Sequence, residues 1–413
     1  MIHTTIGTPS PWTVFDVNND HEEIDLSLLG EESLCVNSDS KNVEEILDTY
    51  EKLVRSKSSV HIGYPYNLDY NHSNLHRFLN YSINNLGDPF VSSNYGVHSR
   101  EFERSVVGFF AELWGIRKPD YWGYVTTCGT EGNMYGILLA REKFPDGILY
   151  ASRESHYSVF KSAKYYRMQS EAILTDSTGS IDCNHLMTCL EKNKDYPAII
   201  NINIGTTVKG AIDDLYGVIQ ILKDGGYERD RFYIHCDGAL FALMLPFIEN
   251  APHMTFDLPI DSITVSGHKM LGCPMPCGVV VTRKENVDMV ENHIEYLNSV
   301  DTTIMGSRNG QAPLFLWYSL KKKGLQGIKE DVQLCLDNAN YLYTSLKKEC
   351  IMTQLNDLST TVVMERPKCE KLIHKWQLAC QGDIAHVVVM PNVSREKLDI
   401  FVREFKDTMK NKF

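Results

Sequence analysis

The forty residues "RFYIHCDGALFALMLPFIENAPHMTFDLPIDSITVSGHKM", Arg231–Met270, decide how the chain is read. They hold two short apolar runs, "RFYIHCD" and "SITVSGH", joined by a longer stretch. The first run ends on Asp237. The second runs into Ser266, Gly267, His268 and Lys269, followed by Gly272 and Pro274. Apolar runs this short and continuous are expected of strands covered on both faces, as in a parallel sheet. Asp237 and Lys269 would then stand at the carboxyl ends of two strands, where open α/β sheets bind ligands. Each has an ordinary reading. The aspartate could cap the next element, and the lysine could open a surface loop.

Working outward, the same texture recurs in "YWGYVTT", "GILYAS", "AIININI" and "GVVVTR", with helical stretches between them, across about Gly123 to Arg283. This is an α/β pattern with a mostly parallel sheet. Helical spacing is also expected over Asn42–Lys57, Arg100–Leu113 and from Gln311 to about Glu349. Strand-like "TVVMERP" and "HVVVMP", a helix near Glu370 and an amphipathic helix from Ser394 suggest a small α+β unit at the C-terminal end. The expected division is an N-terminal segment over 1–60, a large α/β domain over 61–310 and a small α+β domain over 311–413.

The 413 residues are 43% hydrophobic and 23% charged, which is ordinary for a globular protein, and carry a formal net charge of −12. That balance argues against a nucleic-acid footprint or an anionic-membrane surface. The N-terminus lacks a basic n-region and an apolar h-region, and no run approaches a membrane span. The 11 cysteines form no framework. Cys273 and Cys277 flank a proline-containing loop, and no second pair follows at zinc spacing. A cytoplasmic protein with reduced thiols and no bound metal is the expectation. Fingerprints for dinucleotide, P-loop, serine-hydrolase and HExxH zinc chemistry are absent.

Other segments gain meaning only together. "TTCGTEGN", Thr126 to Asn133, follows a strand and precedes a helix. Its amides, with the hydroxyls of Thr127 and Thr130, would make an anion site, and Gly129 and Gly132 would free the turn; a plain glycine-rich βα turn is the alternative. His156 follows the strand of "GILYAS", and a lone histidine is usually a packing residue. An anion turn, a histidine, an aspartate at one strand end and a lysine at the next suit a phosphorylated aldehyde. Pyridoxal 5′-phosphate (PLP) has a phosphate, a ring nitrogen that wants a carboxylate partner and an aldehyde that wants an amine.

The motifs "NNLGDPFVSSNYGVHSREFE", "TTCGTEGN", "ESHYSVFK", "NIGTTVKGAIDD", "IHCDGA", "SGHKMLGCPMPCG", "IMGSRNG" and "WQLACQGDIAHVVVMP" span nearly the whole chain. With them the sequence resembles the PLP-dependent group II amino-acid decarboxylases, most closely the plant histidine and serine decarboxylase branch. The resemblance implies the PLP-dependent transferase fold of the aspartate-aminotransferase type (fold type I). It implies Lys269 as the Schiff-base lysine, Asp237 as the ring-nitrogen partner and His156 as the imidazole stacked on the ring. Cys128, Gly129 and Thr130 would form the phosphate turn, with Ser266 and His268 adding contacts and Thr207 flanking the ring. The family's usual homodimer is implied too, with Ser307 of the "GSRNG" turn reaching the neighbouring subunit's phosphate. The preceding loop departs from its relatives, with Val300 where a basic residue is common. That leaves open the loop's role and that of Tyr296 as a proton donor. Tyr64, Tyr66, Asn67, Asn94 and His98 are candidates to line the substrate side chain, with interface packing as the alternative. The expected reaction is decarboxylation of a small-molecule L-amino acid, histidine before serine, with a PLP aminotransferase or lyase behind them.

Overall fold

The computed structural model describes Val14–Phe15, Glu23–Ile24 and residues 40–410. The first two segments pair antiparallel as β1 (Val14–Phe15) and β2 (Glu23–Ile24). The rest of the expected N-terminal segment before residue 40 lies outside the described residues. Helices α1 (Ser40–Ser59) and α2 (Arg100–Leu113) follow, the second with the bounds its apolar spacing predicts.

Next come β3 (Tyr121–Thr126), α3 (Gly129–Lys143), β4 (Ile148–Ser152), α4 (Tyr157–Tyr165), β5 (Ser170–Ile173), α5 (Cys183–Lys192) and β6 (Ala198–Asn203). They continue as α6 (Leu215–Asp224), β7 (Phe232–Asp237), α7 (Phe241–Met244), β8 (Ser262–Ser266) and β9 (Gly278–Arg283). The seven longer strands form one sheet in the order β3-β9-β8-β7-β6-β4-β5. From β8 to β5 every pairing is parallel, whereas β9 runs antiparallel to both its neighbours. Each of the six apolar runs noted in the sequence is a strand. The seventh, β5, carries no apolar run because it is an edge strand with only Ile173 buried.

Alternate residues of the strands feed two cores. Ile200, Ile234, Val279 and Val281 belong to one, with Val106, Val107 and Phe110 of α2. Ile199, Tyr233 and Val280 belong to the other, with Tyr135, Ile137 and Leu139 of α3 and Val159 of α4. This two-sided cover explains why the strands read as continuous rather than alternating apolar runs.

The hairpin β10 (Asn292–Ile294) and β11 (Ser299–Asp301) leads into α8 (Gln311–Lys348), which Gly324 breaks with φ 63°. The last segment holds β12 (Thr353–Leu355), β13 (Thr361–Glu365), α9 (Glu370–Trp376), β14 (Ala379–Gln381), β15 (Ile384–Val388) and α10 (Arg395–Lys410). Its four strands form an antiparallel sheet in the order β12-β13-β15-β14. Among the described residues no helix is long and apolar enough to cross a membrane.

Candidate active site

Parallel strands end on the same side of a sheet. Thr126, Ser152, Asn203, Asp237 and Ser266 therefore close β3, β4, β6, β7 and β8 along one rim. A cavity of about 920 Å³ opens there. Its lining includes Lys269, Asp237, His156, Cys128, Gly129, Thr130, Thr207, Ser266 and His268, all of the cofactor residues expected from the sequence except Ser307. Tyr64, Tyr66 and Asn67 line it as well.

Helix α3 brings the glycine turn to the rim. Its first turn has no side-chain cap, so its leading amides are free to meet an anion. The glycines serve close packing rather than an unusual backbone. A Cβ on Gly129 would stand 2.5 Å from Ser266 Oγ, and one on Gly132 only 1.9 Å from Thr264 Oγ1. One expectation needs correcting here. The Thr127 hydroxyl does not reach the anion site, because it donates to Glu131 Oε2 at 2.6 Å, as does the Thr127 amide at 2.7 Å.

Lys269 is partly buried, and among the described residues no carboxylate pairs with its amine within 4.0 Å. Desolvation holds this amine below the ordinary lysine range, against an opposing pull from the Asp237 charge. Its loop is clasped from outside. The Asn67 amide donates to Lys269 O at 3.1 Å, and Asn67 Nδ2 donates to Met270 O at 3.1 Å. Asn67, expected as a substrate contact, thus spends part of its side chain fixing the lysine. His268 Nδ1 lies 2.8 Å from Cys277 O and accepts from the Cys277 amide at 3.1 Å, which puts the proton of the neutral ring on Nε2, where it can donate to an anion. Burial lowers the His268 pKa.

Asp237 accepts from Asn133 Nδ2 at 2.7 Å and from the Ala239 amide at 3.2 Å. His156 caps α4, its Nδ1 accepting from the Ser158 amide at 3.3 Å. Burial lowers the His156 pKa despite the nearby Asp237. Asn133, Ser158 and the buried His235 were not singled out from the sequence. Their partners lie up to 104 residues away, and no local pattern marks them. Within one chain the remaining candidates lie outside the cavity lining. Tyr296 is 82% exposed on the β10–β11 turn. Ser307 Oγ accepts from Asn84 Nδ2 at 3.2 Å, Asn94 donates its amide to Leu297 O at 3.0 Å, and His98 faces Glu101 at 3.7 Å.

The residues fit PLP. Among the described residues the lysine amine has no carboxylate partner, the carboxylate of Asp237 ends a strand, an uncapped helix start meets Ser266, and an imidazole stands by. Among the described residues the lining contains no arginine, and Leu68, Ala239, Pro274, Met275 and Pro276 supply apolar wall.

Comparisons with known proteins agree with this chemistry. Residues 38–364 match the family model described as "Pyridoxal-dependent decarboxylase conserved domain". The chain is 57% identical over 362 residues to serine decarboxylase 1 of Oryza sativa subsp. japonica, a match covering 88% of this chain and 75% of that protein. It is 50% identical over 383 residues to histidine decarboxylase of Solanum lycopersicum, covering 91% and 92%. Among solved structures it is similar to L-methionine decarboxylase from Streptomyces sp.590, with a TM-score of 0.85, 25% identity and coverage of 95% and 99%.

Proposed function

This chain belongs to the pyridoxal-dependent decarboxylase family, a fold type I enzyme that uses PLP, and we propose that it decarboxylates L-serine to ethanolamine. The observation carrying the chemistry is the convergence of Lys269, Asp237 and His156 on one arginine-free cavity. When bound, PLP supplies an electron sink for the bond to the departing carboxylate. Lys269 would hold the cofactor through its unpaired amine and Asp237 would keep the ring nitrogen protonated by charge pairing. His156 would cover the ring face. Gly129, Thr130, Ser266 and the Nε2 of His268 would bind the phosphate. Releasing CO2 removes a negative charge from the substrate, so apolar walls favour the step. An arginine clamp on the carboxylate would oppose it, which supports decarboxylation over transamination.

For the substrate we put L-serine first, reversing the order suggested by the motifs. The support is the 57% identity to a rice serine decarboxylase against 50% to the tomato histidine decarboxylase. L-histidine is the second reading, favoured by the cavity's aromatic wall. Tyr64 and Tyr66 stack near-parallel with centroids 6.3 Å apart, and Tyr66 lies 5.8 Å from His268. Purified enzyme should be offered each of the twenty amino acids and the amines read by mass spectrometry. Ethanolamine supports the first choice and histamine the second. Keto acid without CO2 would overturn the reaction class. Lys269→Ala should abolish turnover and the cofactor's visible absorbance, and full activity without added amine would sink the role of Lys269.

We also infer a homodimer whose subunits complete each other's sites. Ser307 and Tyr296 do not line their own subunit's cavity. Helix α1 exposes Val43, Leu47, Tyr50 and Val54 at the four-three-four spacing of a helix-packing stripe.

A further inference from the structure

From the cavity floor, where Asn133, Asp237 and His156 line it, a chain of polar groups runs inward whose hydrogens have only one consistent arrangement. Asn133 is at its centre, 2% exposed. Its Nδ2 donates to Asp237 Oδ2 at 2.7 Å and to Ser158 Oγ at 3.0 Å. The reversed amide would set Oδ1 against a carboxylate, so Asp237 dictates which way Asn133 points. Asn133 Oδ1 must then receive a proton, and among the described residues the group offered is His235 Nε2, 3.0 Å away. Burial pushes the His235 pKa down to about 4, so the ring is neutral at pH 7 and carries its proton on Nε2. Its Nδ1 accepts from Ser262 Oγ at 2.8 Å, and Ser262 Oγ in turn accepts from the Tyr233 hydroxyl at 3.0 Å. On the other branch, Ser158 Oγ receives from Asn133 and lies 2.7 Å from His156 Nδ1. With the Ser158 amide and hydroxyl both directed at Nδ1, the proton of neutral His156 sits on Nε2.

We propose that Asn133, turned by Asp237 and held at its carbonyl end by His235, is a positioning residue that ties Asp237 to His156 and sets the hydrogen-bonding face each presents to the cofactor ring. It rests on the reading of those two residues given above. A single amide thereby couples the group pairing with the ring nitrogen to the imidazole beside the ring. His235 lies outside the cavity lining and acts only through Asn133. A hydrogen bond to a charged group, lost from a buried carboxylate, corresponds to about a tenfold effect or more.

The test uses apoenzyme reloaded with PLP, reading the cofactor dissociation constant by equilibrium dialysis and the pH midpoint of the visible absorbance band. Asn133→Leu should weaken PLP binding about tenfold and displace the midpoint by at least about half a unit. His235→Leu should move both in the same direction. His235→Gln, which keeps an N–H to offer Asn133, should return both to within about twofold of wild type. Ser158→Ala opens the link to His156 while Asp237 stays held, so it should displace the midpoint with a smaller loss of affinity. If Asn133→Leu fails to fold, the His235 pair and Ser158→Ala decide the matter. Equal affinities and spectra for His235→Leu and His235→Gln would overturn the proposal, as would a wild-type midpoint in Ser158→Ala. A wild-type protein showing no PLP-dependent band would instead overturn the underlying reading of the site, so the two failures are distinguishable.

Discussion

Gly132→Ala is the substitution whose outcome the fold constrains most sharply. Two effects oppose each other. Alanine is the better helix former, by roughly 0.5–1 kcal/mol in a helix interior. Against that, the new Cβ would lie 1.9 Å from Thr264 Oγ1 and 2.9 Å from Thr264 Cβ, where ordinary contact begins at 3.4 Å. Helix α3 must therefore lift off β8 by about 1.5 Å, or the strand must yield, and overpacking of this kind costs about 1–3 kcal/mol and occasionally more. The clash wins, and the predicted net effect is a destabilisation of about 1–2 kcal/mol. Cofactor affinity should fall too, because the same helix carries Gly129 and Thr130 into the cavity. Gly327→Ala is the control with the opposite sign. Its Cβ would meet nothing closer than Lys323 Cβ at 3.4 Å, so propensity prevails and the protein gains about 0.5–1 kcal/mol. Thr264→Ala removes the closest atom and should recover part of the Gly132→Ala loss in a double-mutant cycle. Urea unfolding and PLP titration of the four proteins of the cycle, and of Gly327→Ala as the fifth, give the answer. If Gly132→Ala is as stable as wild type and binds PLP as tightly, the close-packing account of these glycines is wrong.

Two further outcomes follow from burial and exposure. His235 and His386 are buried with pKa values pushed down to about 4 from 6.5, so each contributes stability that is full above pH 6.5 and is lost as pH falls toward 4. Each should cost about 2 kcal/mol between pH 7.5 and 5. Urea midpoints at the two pH values should show His235→Gln losing less than wild type, and identical slopes would refute the assignment. For assembly, sedimentation should give twice the chain mass for wild type and a weakened dimer for Leu47→Glu on the exposed stripe of α1. A wild-type monomer with full activity would refute the shared site.

The sheet and the chemistry of its rim were legible in the sequence because each rests on short-range signals. Double-sided burial writes continuous apolar runs, and the aspartate that closes one and the lysine just past another take on meaning once they are read with the glycine turn and the histidine. Strand β5 escaped because an edge strand buries too little to write a run. The break at Gly324 escaped because the apolar spacing carries through it. Asn133, Ser158 and His235 escaped for a different reason. An asparagine inside a helix and a histidine inside a strand have no local meaning until a partner 102 residues away appears. Asn67 was seen, but as a substrate contact. Its hold on the lysine loop spans 203 residues and depends on the fold being closed.

The glycines of "TTCGTEGN" show most clearly where short-range reading stops. As a turn motif they suggest backbone freedom, yet Gly129 and Gly132 are in ordinary helix. Their necessity comes from the strand order. The reversed strand β9 lies between β3, which delivers the turn, and β8, which leads to Lys269. For the helix start to serve the same ligand as the lysine, α3 must cross that intervening strand and rest directly on β8 and β7. Side chains at 129, 132 and 136 would meet Ser266, Thr264 and His235 within 2.5 Å and hold it away. The missing side chains are thus what lets an uncapped helix start, the carboxylate of Asp237 and the amine of Lys269, carried by three separate strands, converge on one cavity.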